Sequence, residues 1–211
     1  MKKERNGFFY YKYSELSLLE KELYYTHIYY FLRHLVFEYP FFIEWYKNLF
    51  MSNFCLKSER EILICEKDFS IAGIAILKNN YKEQKICTLR INPRYRKCGI
   101  GKVMIAKSLD WLETDKPLIT VHKHKSKEFS SLFKYYDFKL EQKNWSYYNL
   151  FSTELVYNGC LPGYNIILNK LQAGNIHLSD KLLKSKNNIF TLLEQNIDFI
   201  IAHDINKQQY Y

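Results

Sequence analysis

Residues 85–113, KICTLRINPRYRKCGIGKVMIAKSLDWLE, decide the fold of this chain. Residues 86–91 are rich in side chains that suit a pleated surface, and this pattern predicts a strand. Asn92 and Pro93 end the strand, because proline has no N–H to donate to a sheet and restrains the residue before it. A basic loop and Gly99-Ile100-Gly101 follow, and apolar residues then recur at helical spacing: Ile105, Leu109 and Leu112. The stretch therefore predicts a strand, a cationic glycine loop and a helix.

This order of elements suits the binding of an anion. The start of a helix leaves backbone N–H groups without internal partners and carries partial positive charge. Glycine lets the backbone approach a ligand closely, and four side chains add full charges at the same place: Arg94, Arg96, Lys97 and Lys102. We therefore expect a phosphate or pyrophosphate ligand. The common nucleotide-binding patterns GxxxxGK[ST] and GxGxxG are both absent from the sequence.

The loop resembles motif A of the GCN5-related N-acetyltransferase (GNAT) superfamily, whose signature is Arg/Gln-x-x-Gly-x-Gly/Ala. Here the signature reads Arg96-Lys97-Cys98-Gly99-Ile100-Gly101. The resemblance implies an α/β (α+β) fold, in which a mixed, mostly antiparallel central sheet contains one parallel, splayed pair of strands and carries helices on both faces. The alternative is an ordinary basic loop between a strand and a helix.

The elements around the motif follow the order of that family. A strand is expected at residues 7–13, helices between residues 14 and 50, an antiparallel meander at 61–66, 71–78 and 86–91, a parallel strand at 118–122, a helix at 127–136, and a hairpin of 137–141 with 145–150. We therefore expect a GNAT acetyltransferase domain at residues 1–151 and a C-terminal extension of mixed helical character at residues 152–211. Packing of this extension onto the domain and a homodimer contact are both open alternatives.

Composition bounds the class of protein. The chain has 211 residues, of which 47% are hydrophobic and 25% are charged, a balance typical of globular domains. No apolar run approaches the roughly 18 residues of a membrane helix, and no secretory signal is recognisable, so we expect a cytoplasmic protein without a membrane partner. The net charge of +9 favours polyanionic partners. Nucleic acid is one of them, but the charge is spread along the chain, and coenzyme A accounts for its one dense cluster.

The resemblance also implies a cosubstrate site for acetyl-CoA, with no metal. Backbone groups of Leu89 and Ile91 would pair with the pantetheine arm, the N–H groups from Lys97 through Lys102 would hold the pyrophosphate, and His122 would line the other side of the cleft, although a surface loop histidine is an equal alternative. The full expected set is Leu89, Arg90, Ile91, Arg96, Lys97, Cys98, Gly99, Ile100, Gly101, Lys102, His122 and Phe133.

The implied reaction is direct acetyl transfer to an amine, which needs a base for the amine and donors near the thioester carbonyl. The tyrosine that usually serves as general acid falls at Phe133, which has no proton to give. Tyr136 lies one helical turn along and could substitute for it, or could be a core aromatic. The base candidates are Glu83, Glu66 and Glu44, and catalysis by positioning alone also fits the pattern.

Two functions follow as hypotheses. The first is an N-acetyltransferase (an acyltransferase) that uses acetyl-CoA and acts on a primary amine of a small molecule, peptide or protein. The second is a non-catalytic or nucleic-acid-associated module that retains the GNAT fold after losing the acid at Phe133. A transferase for a longer acyl group would differ from the first only in the size of its pocket.

Overall fold

Eight strands form one mixed sheet in the computed structural model, which describes residues 3–5, 7–149 and 152–161. The strands are β1 (Lys3–Arg5), β2 (Phe8–Lys12), β3 (Arg60–Lys67), β4 (Ser70–Asn79), β5 (Gln84–Ile91), β6 (Leu118–His122), β7 (Leu140–Trp145) and β8 (Thr153–Tyr157). Their order across the sheet is β1-β2-β3-β4-β5-β6-β8-β7. Within these described strands, only β5 and β6 run parallel to each other. A helix connects them, as a parallel connection requires.

Four α-helices belong to the described residues: α1 (Leu18–Leu32), α2 (Phe42–Lys47), α3 (Ile100–Leu112) and α4 (Ser126–Tyr135). Helix α1 begins at Leu18 because Ser17 and Glu20 form a capping box, in which each side chain satisfies a backbone N–H of the other residue. A 3₁₀ turn at Arg33–Phe37 continues α1 toward the centre of the sheet. This turn later forms one wall of the candidate site.

The sheet separates two hydrophobic cores. Helices α3 and α4 cover one face, where Met104, Ile105 and Phe133 pack against alternate sheet residues such as Leu77 and Ile86. On the opposite face, α1 and α2 supply an aromatic core that includes Tyr24, Ile28, Phe42 and Tyr46. Because successive strand residues point to opposite faces, the same strands serve both cores. Helices on both faces of a mostly antiparallel sheet confirm the expected fold class.

The meander of β3, β4 and β5 and the parallel placement of β6 are confirmed. The expected hairpin is wrong in detail, because Trp145 ends β7 instead of beginning the returning strand. The N–H of Ser146 donates to the carbonyl of Ser152 at 2.8 Å and closes a loop, after which the chain returns as β8. Strand β8 inserts between β6 and β7 rather than adding to the outside of β7.

The sheet thus continues past residue 151, since β8 takes residues from the expected extension. The rest of that extension, residues 162–211, lies outside the described residues. Its helical character, its packing and any homodimer contact stay predictions.

Candidate active site

A cleft opens where the two parallel strands part. Strand β5 pairs with β6 only at Lys85 with Leu118 and at Ile86 with Ile119. On its other side, β5 remains paired with β4 as far as Ile91, but Cys87 is an extra residue in the register, between Ile86 and Thr88. Such a bulge bends a strand and increases its twist. It therefore turns β5 away from β6 at the point where their pairing stops, and a cleft of about 730 Å³ lies there.

The loop between β5 and α3 forms an anion cradle at one end of this cleft. Lys97 (φ 64°) and Gly99 (φ 80°) both have left-handed backbone conformations, which turn successive N–H groups toward one side. Within the described structure, no acceptor pairs with the backbone N–H groups of residues 97–101. These unpaired donors coincide with the partial positive charge at the start of α3. The cradle is therefore suited to a phosphate or pyrophosphate.

Full charges surround the cradle. The Arg96 guanidinium pairs with the Glu128 carboxylate of α4 at 2.9 Å, across the mouth of the cleft. The Lys102 ammonium lies 3.8 Å from the ring centre of Tyr135 and stays exposed. Lys127 lines the same end of the cleft. An elongated, phosphorylated ligand would thus find backbone donors and cations together at this end.

His122 ends β6 and lines the cleft from the other side, buried. Its Nδ1 atom accepts a hydrogen bond from the backbone N–H of His124 at 3.3 Å. Burial lowers the pKa of His122, Glu38 opposes this effect, and His124 and Lys125 add to it, so the net shift favours the neutral ring. With Nδ1 accepting, the ring proton is assigned to Nε2. His122 is therefore a hydrogen-bond donor here and not a base.

The wall on the α1 side of the cleft comes from the turn after that helix, with Leu35, Glu38 and Tyr39. Arg90 of β5 contacts the ring of His34 there. Burial lowers the pKa of His34 to about 4, with Arg90 and Lys125 adding to the effect. His34 is therefore a neutral acceptor for the guanidinium. At this end of the cleft the lining includes an acidic side chain, Glu38, and a phenol, Tyr39.

Most of the residues expected from the sequence come together. Eleven of the twelve expected cosubstrate residues line the cleft: Leu89, Arg90, Ile91, Arg96, Lys97, Gly99, Ile100, Gly101, Lys102, His122 and Phe133. Cys98 lies in the same loop but does not line the cleft, and its thiol is exposed.

The two catalytic candidates are not brought to the cleft. Glu83 precedes the start of β5, and its carboxylate pairs with the Lys78 ammonium at 2.5 Å. Burial raises the pKa of Glu83, but Lys78 and neighbouring cations outweigh this and leave the pKa lowered, which makes a weaker base. The Tyr136 hydroxyl donates to the Lys102 carbonyl at 2.8 Å. Tyr135 lines the cleft instead of Tyr136.

The other two base candidates, Glu66 and Glu44, do not line the cleft either. Glu66 accepts hydrogen bonds from the hydroxyls of Tyr11 and Tyr24, at 2.7 and 3.0 Å, and ties β2 to α1. The sequence reasoning also missed two residues near the cleft, Tyr39 and Glu154. The sequence held a signal for Glu154 only, which is a carboxylate inside the strand TELVY.

Comparison with known proteins gives one family. The profile described as "Acetyltransferase (GNAT) family" matches residues 24–156, more than half of the chain. No curated protein is a significant sequence match. Within the described residues, no helix is long and apolar enough to cross a membrane, and no group of three His, Cys, Asp or Glu residues could hold a metal ion.

Several solved structures resemble the chain. Ard1 from Thermoplasma volcanium is 14% identical, with a TM-score of 0.51, and the match covers 72% of this chain and 95% of that one. A GNAT family acetyltransferase from Elizabethkingia anophelis with acetyl-CoA bound is 11% identical, with a TM-score of 0.45 and coverage of 72% and 97%. The ribosomal-protein-S18-alanine N-acetyltransferase from Escherichia coli is 14% identical, with a TM-score of 0.42 and coverage of 51% and 76%. The chain covers 67%, 64% and 64% of the length of three further acetyltransferases. At these identities, the similarity to Ard1 shows the fold alone.

Proposed function

The chain belongs to the acetyltransferase (GNAT) family, and we propose that it is an acetyl-CoA-dependent N-acetyltransferase. It transfers acetyl directly to a primary amine of a small molecule, peptide or protein. The observation that carries this proposal is the position of the anion cradle, residues 97–101, beside the parting of β5 and β6. An anion site next to an open strand edge matches a cosubstrate that has a pyrophosphate and an amide-containing arm.

The described residues fit this cosubstrate. Beyond Ile86 the edge of β5 that faces β6 has no partner among the described strands, so backbone groups near Leu89 and Ile91 are available to the pantetheine amides in the manner of an added strand. The cradle would hold the pyrophosphate, with Arg96 and Lys102 nearby. Bound acetyl-CoA supplies an activated acetyl group, whose carbon forms a bond to the amine nitrogen as the carbon–sulfur bond breaks.

The residues of the cleft would act on this reaction by position and polarity. His122, as a neutral donor, can stabilise negative charge on an oxygen in the cleft. Phe133 is buried and lines the cleft, where it excludes water but gives no proton. The amine would approach from the side of Glu38 and Tyr39, because the cradle occupies the other end.

Binding of acetyl-CoA can be tested on matched glycine variants. Gly99 and Gly7 both have positive φ, 80° and 75°, and an added Cβ at either would meet nothing within 4 Å. Gly99→Leu and Gly7→Leu therefore carry similar backbone strain, of about 1–2 kcal/mol, but only Gly99 lies in the cradle. We expect acetyl-CoA to raise the Tm of the wild type and of Gly7→Leu, and not that of Gly99→Leu. Equal stabilisation of all three proteins would contradict the proposed cradle.

Turnover is tested by the release of free thiol from acetyl-CoA in the presence of spermidine, lysine or a short peptide with a free amino terminus. Acetylation of at least one amine, detected by mass spectrometry, is expected. If no amine is acetylated and the protein instead binds RNA with an affinity that falls steeply with salt, the non-catalytic or nucleic-acid-associated alternative replaces this proposal.

A further inference from the structure

Glu154 is a carboxylate that the fold buries without satisfying. It lies in β8, its side chain has no exposed surface, and neither oxygen has a hydrogen-bond partner among the described residues. Its register partner on β6 is His122, which lines the cleft. Directly opposed residues of antiparallel strands share a face of the sheet. A buried and unsatisfied carboxylate is costly, and its place beside the cleft indicates a role in the reaction.

The groups around Glu154 come from β5, β6, β7 and the turn after α1, and the turn Lys123–Lys125 also packs against β8. Lys85 approaches from β5, Glu38 and Tyr39 from the turn after α1, and His122 from β6. On β7 the register partner is the neutral Asn144. Two of these charges are already engaged elsewhere, since the Lys85 ammonium contacts the Tyr148 hydroxyl at 3.2 Å and the Glu38 carboxylate pairs with the Lys125 ammonium at 3.5 Å.

The balance of these groups leaves Glu154 about half protonated near neutral pH. Burial raises the pKa of Glu154 to about 7, Lys85 opposes this effect, and Glu38 adds to it. A carboxyl with such a pKa can take up and release a proton at the pH at which the protein works.

Tyr39 connects this carboxylate to the cleft. Glu154 does not line the cleft, but Tyr39 does. The Tyr39 ring packs against Tyr148 with 5.7 Å between ring centres, and its hydroxyl lies near Glu154 without a hydrogen bond to it. Burial, Glu154 and Glu38 all raise the pKa of Tyr39. The phenol therefore keeps its proton, and the lone pairs on its oxygen remain available to a group in the cleft.

We propose that Glu154 accepts the proton that the acceptor amine loses, and that the Tyr39 hydroxyl carries this proton from the cleft to the carboxylate. The inference rests on the proposed N-acetyltransferase function. An N–H bond of the ammonium breaks and an O–H bond forms on Tyr39, while the original Tyr39 proton passes to Glu154. The neutral amine then attacks the thioester, its second proton goes to the departing thiolate, and Glu154 later returns its proton to solvent.

The test compares Glu154→Gln, Tyr39→Phe and the double variant, with Glu141→Gln on β7 as a matched control for an exposed carboxylate. The amine among spermidine, lysine and a short peptide that the wild type acetylates fastest is used throughout. In the wild type and the control, kcat should rise with pH through an inflection near 7. Glu154→Gln should lower kcat by roughly 10²–10⁴-fold and abolish the inflection, while the Kd for acetyl-CoA is unchanged. Because both residues serve one relay, the double variant should be no slower than the slower single variant.

The outcomes separate the two proposals. If the wild type acetylates an amine and Glu154→Gln retains the inflection, Glu154 is not the proton acceptor. A kcat of Glu154→Gln that is lower at every pH would then indicate a structural role only. If the wild type acetylates none of the three amines, the proposed function fails and this inference falls with it. Infrared difference spectra then still show whether the wild type has a buried carboxyl that titrates near pH 7, and whether this signal is absent from Glu154→Gln. This measurement separates a wrong function from a wrong assignment of the proton acceptor.

Discussion

Replacing Glu154 by glutamine should change how the stability of the protein depends on pH. The folded state raises the pKa of this carboxyl from its ordinary value of 4.5 to about 7, chiefly through burial. The folded protein therefore holds the proton more tightly than the unfolded chain does. The resulting stabilisation is fully present below about pH 4.5 and is lost as the pH rises through about 7.

The magnitude follows from the two pKa values. Each tenfold difference in proton affinity is about 1.4 kcal/mol, so most of the effect, about 2–3 kcal/mol, should appear between about pH 5 and pH 8. Glu154→Gln keeps the shape of the side chain and removes the titration. Relative to the wild type, the variant should therefore gain about 2–3 kcal/mol in free energy of unfolding over this range as the pH increases.

Urea unfolding followed by circular dichroism at several pH values measures this difference. The titrations of His34 and His122 occur in both proteins and cancel in the comparison. Glu141→Gln, at an exposed carboxylate on the neighbouring strand, controls for the loss of one negative charge. A difference between Glu154→Gln and the wild type that does not change with pH would refute the reasoning, because the Glu154 carboxyl would then titrate alike in the folded and unfolded states.

Further predictions concern the cradle and its neighbours. Tyr136→Phe should lower the free energy of unfolding by about 1 kcal/mol, because the hydrogen bond to the Lys102 carbonyl is lost. The same variant should leave kcat unchanged. A large fall in kcat would instead indicate that Tyr136 is the general acid. Arg96→Ala and Glu128→Ala break the same partly exposed ion pair, so each should change stability by less than about 1 kcal/mol. Their effects on the Kd for acetyl-CoA, measured by calorimetry, should be opposite: weaker without the guanidinium, and tighter when Glu128 no longer competes for it. Parallel changes in the two Kd values would contradict a role for Arg96 in binding.

The cradle end of the cleft was predictable because it is built from neighbouring residues. A strand, a proline stop, a glycine loop and a helix follow one another at residues 85–113, so their order in the sequence is also their order in space.

The hairpin after α4 was harder to predict. Trp145, Tyr147 and Tyr148 all have side chains suited to strands, yet β7 ends at Trp145, and residues 146–149 form no strand.

The two catalytic candidates, Tyr136 and Glu83, also show what the sequence did not predict. Helical spacing alone placed Tyr136 on the same side as Phe133, but Tyr136 follows the last residue of α4, and its hydroxyl is engaged by Lys102. Glu83 was one of three base candidates that the sequence could not rank, and it precedes β5, whereas the β5 residues that line the cleft begin at Ile86. Proximity in the sequence did not predict proximity to the cleft in either case.

The sequence by itself determined most of the elements before the hairpin, their order, and the glycine loop between β5 and α3, because hydrophobic period, proline and glycine act on the chain within a few residues. Only the tertiary structure decided where β5 leaves β6, since the bulge at Cys87 depends on the register of β5 against β4. The tertiary structure also brought Tyr39 and Glu154 together, although they lie far apart in the chain. Burial and mutual charge exist only after the chain has folded, so no local pattern could have indicated this pair.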